Sequence, residues 1–322
     1  MFRGAGGRPG RLRVTPILWC GARSDKYVTT VFVPDPGTAR GEHTVSDAAR
    51  EAHLISPVDL GTALASGQDV VLLDVRHTQA SDSADPDAFR AGHIPGAQFV
   101  DIDDDLAGTS TGANGARPLP EPDVLEQKVR RWGIDARTPV VVYGATRSPA
   151  PARAWWLLRW AGVESVRLLD GGLDGWACHG GLLTSAETTR AESRFEIRPG
   201  RLPIVEAIAV PDFAARGQLL DARPAARFSD PTNPAAGHIP DARNVPLPEL
   251  FDARGYLKSE PDLLAVFGAR GIGPHSRPAT YCGSGVAAAL EVLALALLDI
   301  PAHLYVGSLS EWAADPARKL VR

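Results

Sequence analysis

Short runs of apolar residues alternate with longer mixed stretches along most of this chain. The runs end in Asp, Tyr or Gly, a pattern typical of parallel strands that are buried on both faces. The stretches between them suit crossover helices that cover a sheet on both sides. Ser56 followed by Pro57 has the form of a helix start. The sequence therefore predicts an α/β fold, with strands at residues 70–75, 140–143, 166–169, 219–221 and 279–281.

The same pattern occurs twice. Ala91-Gly-His-Ile-Pro-Gly-Ala97 returns as Ala236-Gly-His-Ile-Pro-Asp-Ala242, and each copy follows a strand that ends in Asp-x-Arg. Asp170-Gly-Gly-Leu-Asp-Gly-Trp176 likewise matches Val306-Gly-Ser-Leu-Ser-Glu-Trp312, in the same order. Ordered internal similarity of this kind indicates a duplicated chain.

The duplication sets the expected organisation. We predict one domain at residues 53–183, a polar linker at 184–200 and a second domain at 201–322. Residues 1–52 are dense in Gly and Pro as far as Gly41 and are predicted to form a disordered arm. The arginines and the lack of acidic residues among residues 1–24 leave a transit peptide open as the alternative.

Composition excludes several classes of protein. The chain has 322 residues and a net charge of −4, without the basic surface expected of a nucleic-acid-binding protein. Its apolar runs are shorter than the roughly 20 residues that span a bilayer, so no membrane partner and a cytoplasmic location are expected. The three cysteines are too scattered for a disulfide framework, and no metal-ligand spacing occurs, so no metal site is predicted.

One cysteine lies between a predicted strand and a predicted helix. In Thr280-Tyr-Cys-Gly-Ser-Gly-Val-Ala-Ala-Ala289, Gly283 and Gly285 allow the backbone to curl around the sulfur of Cys282. Backbone N–H groups and the positive end of the following helix then favour a thiolate. Cys282 is therefore predicted to be a nucleophile rather than a small core residue.

Other cysteine chemistries fit the loop less well. A phosphatase would need an arginine at the position of Ala288, and thioredoxin-like redox chemistry would need a second cysteine nearby. Cys20 and Cys178 lack a glycine-rich setting and are expected to be inert.

Taken in order, these motifs resemble the two-domain rhodanese family of sulfurtransferases over residues 53–318. The resemblance implies two tandem rhodanese-like domains, each a parallel sheet with helices on both faces. It also implies that the second domain carries the reactive cysteine and that the first is a catalytically silent duplicate, in which Gly144 stands at the cysteine position. The matching segments are both Gly-His-Ile-Pro motifs, Phe99-Val-Asp-Ile-Asp103, Arg153-Ala-Trp-Trp156, Asp221-Ala-Arg-Pro-Ala-Ala-Arg-Phe228 and the Cys282 loop.

The loop after the cysteine separates groups within that family. Members acting on thiosulfate typically show Cys-Arg-Lys-Gly-Val-Thr, whereas Cys282-Gly-Ser-Gly-Val-Ala287 is similar to the 3-mercaptopyruvate group, with alanine in place of the usual threonine. Ser284 is expected to act in catalysis by hydrogen-bonding a ketone or relaying a proton. Backbone groups from Gly283, Gly285, Val286 and Ala287 are expected to bind the anionic substrate and intermediates.

Two further side chains are candidates for the site. Arg227 matches the family's substrate arginine and is expected to bind a carboxylate. The family often has a second arginine before the second Gly-His-Ile-Pro motif, but residues 229–236 contain none. His93 is a candidate for a proton relay with Ser284, the alternative being that it caps backbone carbonyls and fixes its turn, as expected for His238.

The resemblance predicts a sulfurtransferase that needs no cofactor. Its partners would be a small-molecule sulfur donor, 3-mercaptopyruvate, and a thiol, thioredoxin-like or cyanide acceptor. Two alternatives stay open at this point: a thiosulfate sulfurtransferase, and a sulfur carrier or regulatory module without enzymatic activity.

Overall fold

A computed structural model describes residues 45–78, 83–230, 232–233 and 236–322. In the first domain, five parallel strands form a sheet in the order β1-β7-β6-β2-β5, and β3 and β4 form a small antiparallel pair. The strands are β1 (Leu54–Ile55), β2 (Val71–Asp74), β3 (His77–Thr78), β4 (Ser83–Ala84), β5 (Ala97–Phe99), β6 (Val140–Tyr143) and β7 (Val166–Leu169).

Helices separate these strands along the chain. The Ser56 hydroxyl oxygen accepts a hydrogen bond of 3.1 Å from the Asp59 N–H, which confirms the predicted helix start. The helices are α1 (Val45–His53), α2 (Pro57–Ala65), α3 (Pro86–Ala91), α4 (Pro122–Arg131), α5 (Ala150–Trp160) and α6 (Gly172–Cys178).

The predicted N-terminal arm needs a correction. Residues 1–44 lie outside the described residues, but 45–52 belong to helix α1. This helix is held in place because Arg50 forms an ion pair of 2.6 Å with Asp170 and donates to the carbonyl oxygens of Leu257 and Lys258. The Gly and Pro density that suggested disorder ends at Gly41, so it does not describe the helix.

The second domain repeats the first. Four parallel strands lie in the order β11-β10-β8-β9, which corresponds to β7-β6-β2-β5 in the first domain. The bridge between Ile204 and Leu304 of β11 corresponds to the pairing of β1 with β7. The strands are β8 (Leu219–Asp221), β9 (Arg243–Asn244), β10 (Ala279–Tyr281) and β11 (His303–Leu304). The helices are α7 (Val210–Ala215), α8 (Ala225–Phe228), α9 (Glu260–Gly268), α10 (Ala287–Ala296) and α11 (Ser308–Ala314), with 3-10 turns at Ala207–Ala209 and Leu247–Leu250.

The strand predictions agree closely with this structure, and both halves of the fold are α/β with parallel sheets, as expected. Between α6 and the 3-10 turn at Ala207, the described chain contains isolated bridges but no regular helix or strand. That stretch includes the predicted linker at 184–200.

The two Gly-His-Ile-Pro turns are built alike. In each turn, the histidine ring stacks on a phenylalanine and its Nδ1 lies 2.9 Å from the carbonyl oxygen of that phenylalanine. The backbone N–H of the following isoleucine donates to a tyrosine hydroxyl at the end of the central strand. The corresponding residues are Phe89, His93, Ile94 and Tyr143 in the first domain, and Phe228, His238, Ile239 and Tyr281 in the second.

Helices α5 and α10 join the domains through one continuous apolar core. Every residue of α5 except Arg159 is buried, including Trp155 and Trp156. In α10, residues 288–295 are buried. A helix that is apolar around most of its circumference is buried on all sides. The contact between α5 and α10 therefore fixes the first domain against the start of α10, where the Cys282 loop lies.

Candidate active site

Cys282 follows strand β10 and lies directly before the start of helix α10. Its side chain is almost fully buried, with 2% of the residue exposed. The N–H of Gly285 donates to Cys282 Sγ at 3.1 Å. The positive end of the α10 dipole lies beside the same sulfur, so the loop is suited to a negatively charged sulfur.

Gly285 is required for this curl. Its φ of +77° lies in the left-handed region, and a β-carbon built on it would come within 2.5 Å of the Val306 carbonyl oxygen. By contrast, a β-carbon on Gly283 would meet nothing within 4 Å. The loop is thus tightly packed at Gly285 and open at Gly283.

Helix α11 anchors the other side of the loop. The N–H groups of Leu309 and Ser310 donate to the carbonyl oxygens of Cys282 and Gly283, each at 3.0 Å. The Ser308 hydroxyl accepts from the Cys282 N–H at 3.2 Å and donates to Tyr305. Because the C=O and N–H of a trans peptide point in opposite directions, the N–H groups of Gly283 and Ser284 point away from α11.

The first domain contributes an arginine to the loop. Arg117 Nη1 donates to Ser284 Oγ at 3.1 Å, and Arg117 Nε donates to Asp103 at 2.7 Å. Arg117 is 6% exposed. Nearby, the Ala116 N–H donates to the Ser310 hydroxyl at 2.9 Å. The loop that carries Arg117 therefore bridges to both the cysteine loop and α11.

A second arginine, Arg153 on α5, is fully buried beside the loop. A β-carbon built on Gly285 would lie 3.4 Å from Arg153 Nη1. Burial lowers the pKa of Arg153 to about 10, the negative charge of Cys282 raises it, and Arg117 lowers it. Two guanidinium groups of the first domain thus lie close to the cysteine loop of the second.

The structure places the predicted site residues unequally. Ser284 and Ala287 are partly exposed, whereas Val286 is buried. Arg227 is exposed on α8, which follows β8 at the same edge of the sheet as Cys282, since Asp221 and Tyr281 are paired at the ends of β8 and β10. Among the described residues, the Arg227 side chain has no hydrogen-bond or ion-pair partner, and it is exposed to solvent.

The structure does not bring His93 to Ser284. Nδ1 of the ring lies 2.9 Å from the Phe89 carbonyl oxygen, and Nε2 lies 3.1 Å from that of Ala186. Both ring nitrogens therefore face backbone oxygens at the Gly-His-Ile-Pro turn. The relay expectation for His93 is corrected to a structural role, because backbone oxygens face both ring nitrogens; the Nδ1 contact recurs at His238.

Sequence reasoning missed Arg117 and the role of Arg153. Asp103 and Arg153 lie in segments that carried the family resemblance, but Arg117 lies in a loop rich in Gly and Pro with no periodic pattern. The signal that could have found them is their charge, because an anionic sulfur at Cys282 favours cations nearby.

The remaining predicted features concern cysteines, metals and membranes. Cys178 is exposed at the end of α6, and Cys20 lies outside the described residues. Within the described ranges, no three His, Cys, Asp or Glu side chains converge in an arrangement that could hold a metal ion. None of the helices in this part of the chain is long and apolar enough to cross a membrane.

Comparison with known proteins agrees with the fold. The rhodanese-like domain model matches residues 56–179 and 209–315. A Mycobacterium tuberculosis protein named thiosulfate sulfurtransferase SseB is 36% identical over 280 residues, 85% of this chain and 98% of that protein. A Pseudomonas aeruginosa protein named 3-mercaptopyruvate sulfurtransferase is 37% identical over 278 residues, 83% of this chain and 97% of that protein.

A solved structure is also similar. The crystal structure of SseA from Escherichia coli, described as a 3-mercaptopyruvate sulfotransferase with the rhodanese fold, superposes with a TM-score of 0.70 at 33% identity. The match covers 79% of this chain and 98% of SseA. The chain belongs to the rhodanese family. It is a sulfurtransferase, an enzyme that uses a small-molecule sulfur donor and a sulfur acceptor, and its two rhodanese-like domains confirm the predicted fold.

Proposed function

We propose that this chain transfers sulfane sulfur from 3-mercaptopyruvate to a thiol, thioredoxin-like or cyanide acceptor through a persulfide on Cys282. The observation that carries the proposal is the hydrogen bond of 3.1 Å from the Gly285 N–H to Cys282 Sγ at the start of α10. A sulfur held in this way is stabilised as an anion, the form that attacks. The names of the Pseudomonas and Escherichia relatives support the same donor.

The reaction runs in two displacements. The Cys282 thiolate attacks the donor sulfur, the C–S bond of the donor breaks, and its electron pair forms the enolate of pyruvate. One proton is released from the transferred sulfur and one is taken up at the enolate carbon, so the persulfide remains an anion. Cyanide then attacks the outer sulfur and leaves as thiocyanate, and the electron pair of the S–S bond returns to Cys282.

Ser284 and Arg227 are proposed to position the donor. Because Arg117 donates to Ser284 Oγ, the serine hydrogen is left to donate to the ketone oxygen and then to the enolate. An arginine stays protonated and cannot accept a proton, so a hydrogen bond to the ketone is favoured over a relay through Arg117. The exposed Arg227 guanidinium would bind the donor carboxylate, with the N–H groups of Gly283 to Ala287 facing the transferred sulfur.

Thiosulfate is the second candidate donor. The name of the Mycobacterium relative favours it. The Arg117 guanidinium that donates to Ser284 also favours it, since it supplies positive charge that the loop itself lacks. Both donors would use the same Cys282 persulfide.

Mass measurement followed by kinetics tests the proposal. After exposure to 3-mercaptopyruvate, the intact protein should gain one sulfur atom, and so should Cys178→Ser, whereas Cys282→Ser should not. A gain in Cys282→Ser would refute the persulfide assignment.

Arg227→Ala should lower kcat/KM for 3-mercaptopyruvate about tenfold to a hundredfold, since a hydrogen bond to a charged group contributes about 1.5–3 kcal/mol. Arg216→Ala is the matched control, because Arg216 is exposed at the end of α7, on the opposite edge of the same sheet. A higher kcat/KM for thiosulfate would replace the donor with the second candidate.

A further inference from the structure

Arg153 carries a buried charge with few partners. Its Nη2 donates to the carbonyl oxygens of Leu106, Arg117 and Pro118 at 3.2–3.4 Å. Its Nε and Nη1 have no hydrogen-bond partner among the described residues. A buried cation without an anionic partner is costly, because the protein interior replaces water poorly around a charge. The arrangement therefore needs an anion nearby.

The unpartnered side of the guanidinium faces the cysteine loop. Nη1 would lie 3.4 Å from a β-carbon on Gly285, the residue whose N–H donates to Cys282 Sγ. The charge of Cys282 also acts on the Arg153 guanidinium. The nearest candidate for the missing anion is thus the sulfur of Cys282.

The carboxylates of Asp103, Asp221 and Glu291 do not supply that anion. Arg117 is paired with Asp103 at 2.7 Å, and Asp221 with Arg223 at 2.6 Å. Glu291 on α10 is fully buried, and burial first, then the charges of Asp221 and Cys282, raises its pKa well above the usual range. This burial, with no hydrogen-bond partner for either carboxyl oxygen among the described residues, favours the neutral form of Glu291.

We propose that Arg153 is the counter-ion of the Cys282 thiolate and of the persulfide that replaces it. The resting enzyme holds S⁻ and the loaded enzyme holds S–S⁻, so the sulfur side carries one negative charge in both states. A cation fixed on α5 can stabilise both without moving. The first domain would then supply part of the active site's charge although it lacks a nucleophile of its own.

The proposal rests on Cys282 being the reactive sulfur, and its test uses a readout that needs no sulfur donor. The rate of Cys282 alkylation by iodoacetamide would be measured against pH in the full chain, by mass spectrometry of the Cys282 peptide so that Cys178 does not interfere. Arg153→Met should move the midpoint of this profile up by about 1–3 pH units, the effect of removing one opposite charge at close range. Arg153→Lys keeps the positive charge, so its midpoint should lie close to that of the wild type.

Two variants make the result specific. Arg159→Met removes the other arginine of α5, which lies over the Trp155 ring, and should leave the midpoint unchanged. If Arg153→Met does not fold, Arg153→Gln replaces it, since its amide can still donate to the Arg117 carbonyl. A wild-type midpoint in a folded, neutral Arg153 variant would overturn the proposal, even if Cys282 still forms a persulfide. If Arg153→Met raises the midpoint as expected but the wild-type enzyme transfers no sulfur, the proposed function is refuted and the counter-ion proposal stands.

Discussion

The contact between Arg117 and Ser284 predicts that the two side chains act as a unit. We expect Arg117→Met to lower kcat/KM for 3-mercaptopyruvate about tenfold to a hundredfold. The hydrogen bond of 3.1 Å has a charged donor, and such bonds contribute about 1.5–3 kcal/mol, where 1.4 kcal/mol is a factor of ten. The pair with Asp103 is also lost, and since Arg117 is buried and Asp103 is 47% exposed, its effect on folding is measured separately by thermal unfolding.

A double-mutant cycle separates this contact from general damage. Ser284→Ala removes the acceptor, so Arg117→Met should cost little more in that background, and the coupling energy should be about 1 kcal/mol or more. The matched control is Ser310→Ala, since Ser310 accepts from Ala116 in the same loop. The assay is pyruvate release at low donor concentration with cyanide as acceptor, with thermal unfolding of each variant to confirm folding.

Two outcomes would refute the reasoning. If the losses from Arg117→Met and Ser284→Ala add within about 0.5 kcal/mol, the hydrogen bond does not serve the reaction. If Arg117→Met couples to Ser310→Ala as strongly as to Ser284→Ala, the variant has displaced the whole loop and Arg117 has no specific role at Ser284.

Two further predictions follow from the loop and the shared core. Gly285→Ala should lower Tm and reduce kcat/KM at least tenfold, because a left-handed alanine costs about 1–2 kcal/mol and its β-carbon would displace the Val306 carbonyl. Gly283→Ala, whose β-carbon meets nothing within 4 Å, should leave Tm unchanged. Equal Tm values for the two variants would contradict this reasoning. The predicted second domain alone, residues 201–322, should fold poorly, since it exposes the buried face of α10 and each large apolar side chain there loses about 1.5–3 kcal/mol. A stable fragment with the kcat/KM of the full chain, assayed by urea unfolding and steady-state kinetics, would show that the first domain is dispensable.

The strands and the cysteine loop were predictable because their signals are local. Val140–Tyr143 is a short β-branched run with a proline before it, and Gly285 marks a backbone curl in the sequence itself. The duplication was equally visible, since the two Gly-His-Ile-Pro motifs keep their order. The domain boundaries at 53–183 and 201–322 stay a prediction that the fragment experiment examines.

The first-domain contribution to the site was not predictable in the same way. Arg153 reaches the Cys282 loop because α5 packs on α10. The Arg117–Ser284 contact joins residues 167 positions apart, so nothing local in the sequence indicates it. His93 failed as a relay for the opposite reason. Its motif was read correctly, but both ring nitrogens of His93 face backbone oxygens. The Nδ1 contact recurs at His238, so this contact belongs to the repeated turn.

The packing around Gly144 bears on whether the first domain could carry a cysteine of its own. A β-carbon on Gly144 would come within 2.6 Å of the Val75 carbonyl oxygen and 2.9 Å of Pro151. The backbone has closed over the place where the duplicate would hold its sulfur, so a cysteine could not be accommodated there without rebuilding the strand ends around it. Replacing Gly144 by cysteine would therefore not create a second nucleophile without displacing these neighbours. The first domain is then expected to serve the reaction through its Arg117 loop and helix α5, which lie beside the cysteine loop of the second domain.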